Sequence, residues 1–125
     1  MIDFLKGKKE AVAKASQLDK EGELFTTEIN LFELFYGIFK NSKINKEKEL
    51  QDVQNLVERL TVLPLKGKST FKSAQIAGEL TEKGLEINPP DCITAGICLA
   101  NNINVIITRD NLHFSRIKGI KPEAY

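Results

Sequence analysis

Cysteine and histidine are scarce in this chain of 125 residues, and their scarcity removes whole classes of chemistry. His113 is the only histidine and follows a turn-like segment, so it is read as a surface residue rather than a general base. Cys92 and Cys98 are the only cysteines. They share an apolar stretch with no histidine nearby, which gives neither zinc-ligand spacing nor a disulfide framework, and both are read as small core residues. No glycine-rich phosphate loop and no Ser/His/Asp pattern is present. No apolar run approaches the roughly 18 residues of a membrane span. The opening Met1-Ile2-Asp3-Phe4-Leu5-Lys6 lacks the order of charged, apolar and small residues found in a signal peptide. No membrane association and a cytoplasmic location are therefore expected. Charge of one sign is also missing: 18 basic residues against 17 acidic ones leave a net charge of +1. There is no global positive field to attract nucleic acid. Contact with a phosphate backbone would have to come from local lysines, such as those of Lys6-Gly7-Lys8-Lys9 or Lys66-Gly67-Lys68.

What is present is ordinary globular composition, with 42% apolar and 28% charged residues. The length suits one domain with a single core, taken as residues 1–125. Short β-like runs alternate with longer helical patterns, which argues for an α/β domain around a mostly parallel sheet. The strand candidates are Leu24 to Thr27, Thr61 to Leu65 and Ile103 to Thr108, the last being the richest in β-branched residues. Ile120 to Tyr125 can add an edge strand, because Pro122 is tolerated only at an edge or bulge. Helices are predicted over Ala11 to Leu18 and over Glu28 to Phe39, the latter with Thr27 as N-cap. Asn45 caps the next, whose apolar face is Leu50, Val53, Leu56, Val57 and Leu60. Ser69 or Thr70 opens another, with Ala74, Ile76, Ala77 and Leu80 inward and Gly84 at its end. Pro89 or Pro90 starts a helix that runs to Ala100. A parallel sheet usually opens on a buried strand, yet the first residues read as the loop and helix that follow one. The expectation is therefore an α/β domain whose opening strand is missing.

Three carboxylates occupy positions that call for explanation. Glu33 lies in Leu31-Phe32-Glu33-Leu34-Phe35-Tyr36-Gly37-Ile38-Phe39, a helix apolar on nearly every side. A carboxylate buried there needs a partner, although a lone glutamate is as well explained by a narrow exposed stripe or a lysine pair. Asp91 opens an apolar helix, where free N–H groups and the helix dipole stabilise negative charge; capping alone accounts for it. Asp110 follows the best strand, at the sheet edge where ligands of open α/β folds bind, and a turn role would also explain it. If the strands are parallel neighbours, the three can converge at one end of the sheet. Mutual repulsion would then call for a hard divalent cation, and oxygen-only ligation suits Mg²⁺ or Mn²⁺. Such a site supports phosphodiester hydrolysis by activated water, with no nucleophilic side chain.

At these residues the sequence resembles the PIN-domain family, and in particular its VapC-type toxin ribonucleases. Thr26 to Ile38 is similar to the family's strand end followed by a Glu-Leu pair and an aromatic-glycine step. Asp91-Cys92-Ile93-Thr94-Ala95-Gly96 is similar to its Asp-containing helix start, and Ile106-Ile107-Thr108-Arg109-Asp110 with Phe114 to its closing strand and turn. The resemblance implies a three-layer α/β/α sandwich and Mg²⁺- or Mn²⁺-dependent cleavage of RNA. It also implies homodimerisation and, for a toxin, inhibition by a cognate antitoxin. By position, Glu33, Asp91 and Asp110 become the catalytic, metal-holding carboxylates, with Thr108 lending a hydroxyl nearby. The family's first strand ends in an Asp-Thr-Ser/Asn pattern that is not present here, and Met1-Ile2-Asp3 matches only the segment after it. The first catalytic aspartate is thus absent from this sequence. The alternative class is a catalytically inactive PIN-like relic that binds protein or RNA. An unrelated phosphatase or receiver-like α/β domain fits less well, because no acidic pair runs directly into a catalytic-loop pattern.

Overall fold

A computed structural model of the chain describes residues 24–108 and 111–124. The predicted helix over Ala11 to Leu18 and the question of an opening strand lie outside these residues. The described chain runs β1 (Phe25–Thr27), α1 (Glu28–Phe39), α2 (Lys46–Val57), β2 (Thr61–Leu63), α3 (Lys68–Glu82), α4 (Pro89–Ala100), β3 (Val105–Ile107), α5 (Asn111–Ser115) and β4 (Lys121–Glu123). The strands form two parallel pairs among the described residues, β1 with β2 and β3 with β4. Thr26 is opposite Val62, and Ile106 is opposite Pro122. Pro122 therefore sits in the last strand, where the ladder can do without its missing N–H.

Each strand sends successive side chains to opposite faces, and both faces are covered. Ile106 joins Ile76, Leu80, Cys92, Ala95, Cys98, Phe114, Ile117 and Ile120 in one buried cluster, with Phe25 and Leu63 packed against it. The next residue, Ile107, belongs to the other cluster, with Leu24, Leu34, Ile38, Val53 and Leu56. Strands thus lie between a layer of α1 and α2 and a layer of α3, α4 and α5. This is the α/β/α sandwich that the family resemblance implied, built around the parallel strands expected from the alternating pattern; a parallel sheet is stable only with helices on both faces.

Local chemistry sets the helix ends. Thr27 leaves β1 in an extended conformation, and its side chain accepts a hydrogen bond from the Asn30 N–H at 3.1 Å. Asn45 does the same for Lys48 at 3.2 Å. Both caps are as predicted, and each satisfies a donor that the first helical turn leaves open. Gly84, at φ +70°, lies just beyond the C-cap Lys83 of α3.

The start of α3 departs from expectation. The helix begins at Lys68 after Gly67, which takes φ +56° and is its N-cap without a side-chain bond. That left-handed turn suits glycine, so the helix starts before either predicted cap. Ser69 lies inside the first turn, where its hydroxyl accepts from the Lys66 N–H and donates to the Lys66 carbonyl. The inward face also differs. Ile76 and Leu80 are buried as predicted, but Ala74 is exposed and Ser69 and Ser73 are buried instead. Packing decides this. A Cβ on Gly96 of α4 would stand 2.6 Å from the Ser73 backbone and closer still to its hydroxyl. Only a small residue on each side lets α3 and α4 approach so closely. The Ser73 hydroxyl donates to the carbonyls of Ser69 at 2.7 Å and Ile93 at 3.3 Å, so it is satisfied within the contact. The short α5, which carries His113, was not among the predicted elements.

Candidate active site

The sequence of α4 explains its depth. Pro89 and Pro90 occupy its first positions, where a missing N–H costs nothing, and the next residues are apolar with almost no polar stripe. A helix apolar all round must be buried; Ala95, Ile97 and Cys98 have no solvent exposure. Asp91 is buried with them, in the first turn, where the helix N-terminus favours its ionised form.

The buried side of α1 carries Asn30, Leu31, Leu34 and Ile38; Leu34 and Ile38 pack with Val53 and Leu56 of α2 and Ile107 of β3, while Asn30 reaches α4. The Thr94 hydroxyl donates to the Asn30 side-chain oxygen across the two helices at 3.2 Å, and both residues are buried. Glu33 lies three residues beyond Asn30, and Asp91 three residues before Thr94. Residues three apart on a helix share a face, so the side of α1 that carries Asn30 also carries Glu33, and the side of α4 that carries Thr94 also carries Asp91. The electrostatics agree. The Glu33 carboxyl is held above its usual range, first by burial and then by the negative charge of Asp91. One of its oxygens, Oε1, is buried and has no hydrogen-bond partner.

Two of the predicted site residues are thus brought together. Thr108 is at the end of β3, buried, with its N–H donating to the Glu123 carbonyl at 2.9 Å. Asp110 lies outside the described residues. Among the described residues no group of three or more His, Cys, Asp or Glu side chains is placed to hold a metal. What they contain is a carboxylate pair. Its chemistry suits a hard divalent cation. Both groups offer oxygen, Glu33 presents a buried oxygen with no donor, and positive charge between them would remove the repulsion that now raises Glu33. Cys92, beside Asp91, is pushed up by burial and by the same charge, and Cys98 is pushed up to about 12 by burial. Both are buried in the core, as expected of small residues in an apolar stretch.

Sequence reading passed over Asn30 and Thr94. The available signal was a polar residue on the apolar helix one turn before Glu33, matched by one a turn after Asp91.

Helix α1 also has an outer face. Phe32, Tyr36 and Phe39 are 67%, 57% and 58% exposed. The Phe32 and Tyr36 rings stack with centroids 6.2 Å apart, and Lys40 Nζ lies 5.0 Å above the Tyr36 ring. Phe35 of the same helix packs inward, against the cluster of Leu34 and Ile38.

Comparison with known proteins places this geometry in context. Residues 1–120 match the family described as the PIN domain. The chain is 30% identical over 124 residues to the tRNA(fMet)-specific endonuclease VapC of Salmonella typhimurium, covering 99% of this chain and 91% of that protein. It is 30% identical over 103 residues to the Ribonuclease VapC2 of Rickettsia felis, covering 82% and 75% of the two chains. Among solved structures, it resembles a chain of the DNA-bound VapBC complex from Salmonella typhimurium. That match has a TM-score of 0.82 at 25% identity and covers 98% of this chain and 96% of that one.

Proposed function

This chain belongs to the PIN-domain family, and from that premise we infer that it is an endoribonuclease, the toxin member of a toxin–antitoxin pair. The observation that carries the reading is the proximity of Glu33 on α1 to Asp91 on α4, the first half-buried and the second buried. Two carboxylates held together against their own repulsion serve no packing purpose. Relatives named as an endonuclease and a ribonuclease, each 30% identical, support the same conclusion.

In the proposed mechanism Glu33 and Asp91 hold a divalent cation, Mg²⁺ or Mn²⁺, and Asp110 adds a third carboxylate with Thr108 in support. When bound there, such a cation lowers the pKa of a coordinated water and stabilises negative charge developing on a phosphoryl oxygen. The protein's part is to keep the carboxylates ionised and in place. The N-terminus of α4 favours charge on Asp91. Burial and the neighbouring Asp91 raise the Glu33 carboxyl above its usual range, a shift that a cation shared by the pair would oppose. Neither cysteine nor His113 has a role. The test is direct: metal-stripped protein should not cleave RNA, and Mg²⁺ or Mn²⁺ should restore cleavage. Equal cleavage in excess chelator would exclude this reading.

The partners proposed are RNA as substrate, a cognate antitoxin and a second copy of the chain. The antitoxin is suggested by the VapBC complexes among the structural relatives. The exposed Phe32, Tyr36 and Phe39 ridge supplies apolar surface suited to either protein partner. No helix among the described residues is long and apolar enough to cross a membrane; action on RNA in the cytoplasm belongs to the proposal. Replacing Phe32 and Phe39 with serine should disrupt association while leaving the fold intact, since both side chains are mostly exposed. Sedimentation of the protein alone and with its antitoxin checks this. Unchanged masses in both samples would remove the ridge from any interface.

A further inference from the structure

The hydrogen bond between Asn30 and Thr94 is polar chemistry in a place where apolar packing would serve stability as well. Both residues are 1% exposed, and the other residues buried beside them on their own helices are mostly apolar: Leu31 and Leu34 on α1, Cys92, Ala95 and Ile97 on α4. Replacing a buried hydrogen-bonded pair by apolar groups of the same shape is often nearly neutral for stability. The pair therefore needs a reason other than holding the core together.

Its position gives one. Asn30 and Glu33 are one turn apart on α1, and Thr94 and Asp91 are one turn apart on α4 in the opposite sense. The bond at 3.2 Å thus lies one turn along the helix interface from the carboxylate pair. Apolar side chains alone allow helices to slide or rotate by fractions of an ångström at little cost, because dispersion contacts are non-directional. A hydrogen bond is directional and has a narrow range of length. The Asn30 end is itself fixed, because its N–H donates to the Thr27 side chain at 3.1 Å, which ties α1 to the end of β1. The series Thr27, Asn30, Thr94 and Asp91 therefore connects a strand end to the second carboxylate through two hydrogen bonds and one helical turn.

We propose that Asn30 and Thr94 are positioning residues, whose interhelical hydrogen bond sets the spacing of Glu33 and Asp91 for a divalent cation. Neither touches the cation or the substrate; each acts through the carboxylate one turn away. The proposal rests on the metal-site reading given above, and the test separates the two.

Mn²⁺ affinity of the full chain is measured by electron paramagnetic resonance, alongside a thermal melt of each protein without metal. Thr94→Val, which keeps the shape and removes the hydroxyl, should weaken Mn²⁺ binding about tenfold or more, the range typical of groups that orient ligands. Thr94→Ser, which keeps the hydroxyl, should remain within about twofold of the parent, on the same scale. With Asp91→Asn already present, Thr94→Val should weaken the residual binding no further, because the two act through one ligand. If Thr94→Val does not give folded protein, Thr94→Ala removes the same hydroxyl with less bulk and carries the same expectation. Mn²⁺ affinity unchanged in the hydroxyl-free variants, whatever their melting temperature, would overturn the proposal and leave the metal site standing. No Mn²⁺ binding by the parent chain, or binding indifferent to Asp91→Asn, would overturn the metal-site reading and the positioning role with it.

Discussion

Replacing Asp91 with asparagine is expected to reduce metal-dependent RNA cleavage by about 10³-fold or more, which corresponds to the several kcal/mol of charge stabilisation that a bound divalent cation supplies. The fold should survive. Asparagine has nearly the shape of aspartate, and the lost interaction with the α4 N-terminus is about 0.3 to 1 kcal/mol, or up to roughly 2 in a partly buried setting. Against that loss stands a gain, because the substitution removes the charge that repels Glu33. Cleavage rates with Mg²⁺ or Mn²⁺, measured beside a thermal melt, decide the matter. Activity within tenfold of the parent would exclude Asp91 from the metal site. Loss of activity in step with loss of folded protein would make its role structural.

The other large effect concerns stability, and its sign follows from Glu33. In the folded, metal-free protein the Glu33 carboxyl is held above its ordinary range, so between the unfolded and folded values the folded state binds the proton more tightly. Stability from this group is therefore fully present below the unfolded value, and it is lost as pH rises through the folded one. Metal-free protein should lose stability across that window, and Glu33→Gln should flatten the loss and raise the melting temperature at neutral pH. A divalent cation acts in the opposite direction, because it binds the ionised form. At a free concentration of one hundred times its Kd it adds about 2.7 kcal/mol, or roughly 10 °C for a domain of this size. That stabilisation should fade as protons compete for Glu33 at lower pH. It should be largely absent in Glu33→Gln and Asp91→Asn. Melts across pH with and without Mn²⁺ test both halves. A metal shift that survives in both variants would place the cation elsewhere.

Much of the architecture was legible because local rules and tertiary structure agree. Thr27 and Asn45 cap the helices they were expected to cap, Pro89 and Pro90 open α4, and Gly84 closes α3. These features depend on one residue and its nearest backbone groups, so no distant contact can easily override them. The face of α3 was misread because helical periodicity ranks residues by polarity, whereas the contact with α4 selects them by size. Ser73 is buried where Ala74 was expected because its hydroxyl finds two carbonyls and because Gly96 leaves space only for a close, small neighbour.

By itself, the sequence determined the alternation of strand and helix, the chemical character of the site, and which residues could hold charge at helix and strand ends. These are properties of side-chain type and short-range spacing, fixed before the chain folds. It also marked Glu33 as a carboxylate unsuited to open water, since its helix is apolar on both flanks. Only the tertiary structure decided that Glu33 of α1 and Asp91 of α4, 58 positions apart in the chain, come close enough for one charge to act on the other. It alone decided that Asn30 and Thr94 lock that meeting, and that Phe32, Tyr36 and Phe39 are left on the outside. The reason is geometric. Helical periodicity gives each side chain a direction about its own axis, but not the rotation and register of one helix against another. Those are set by how side chains of different size and polarity interlock at the contact, and there a single hydrogen bond can select one register among several that apolar packing would tolerate.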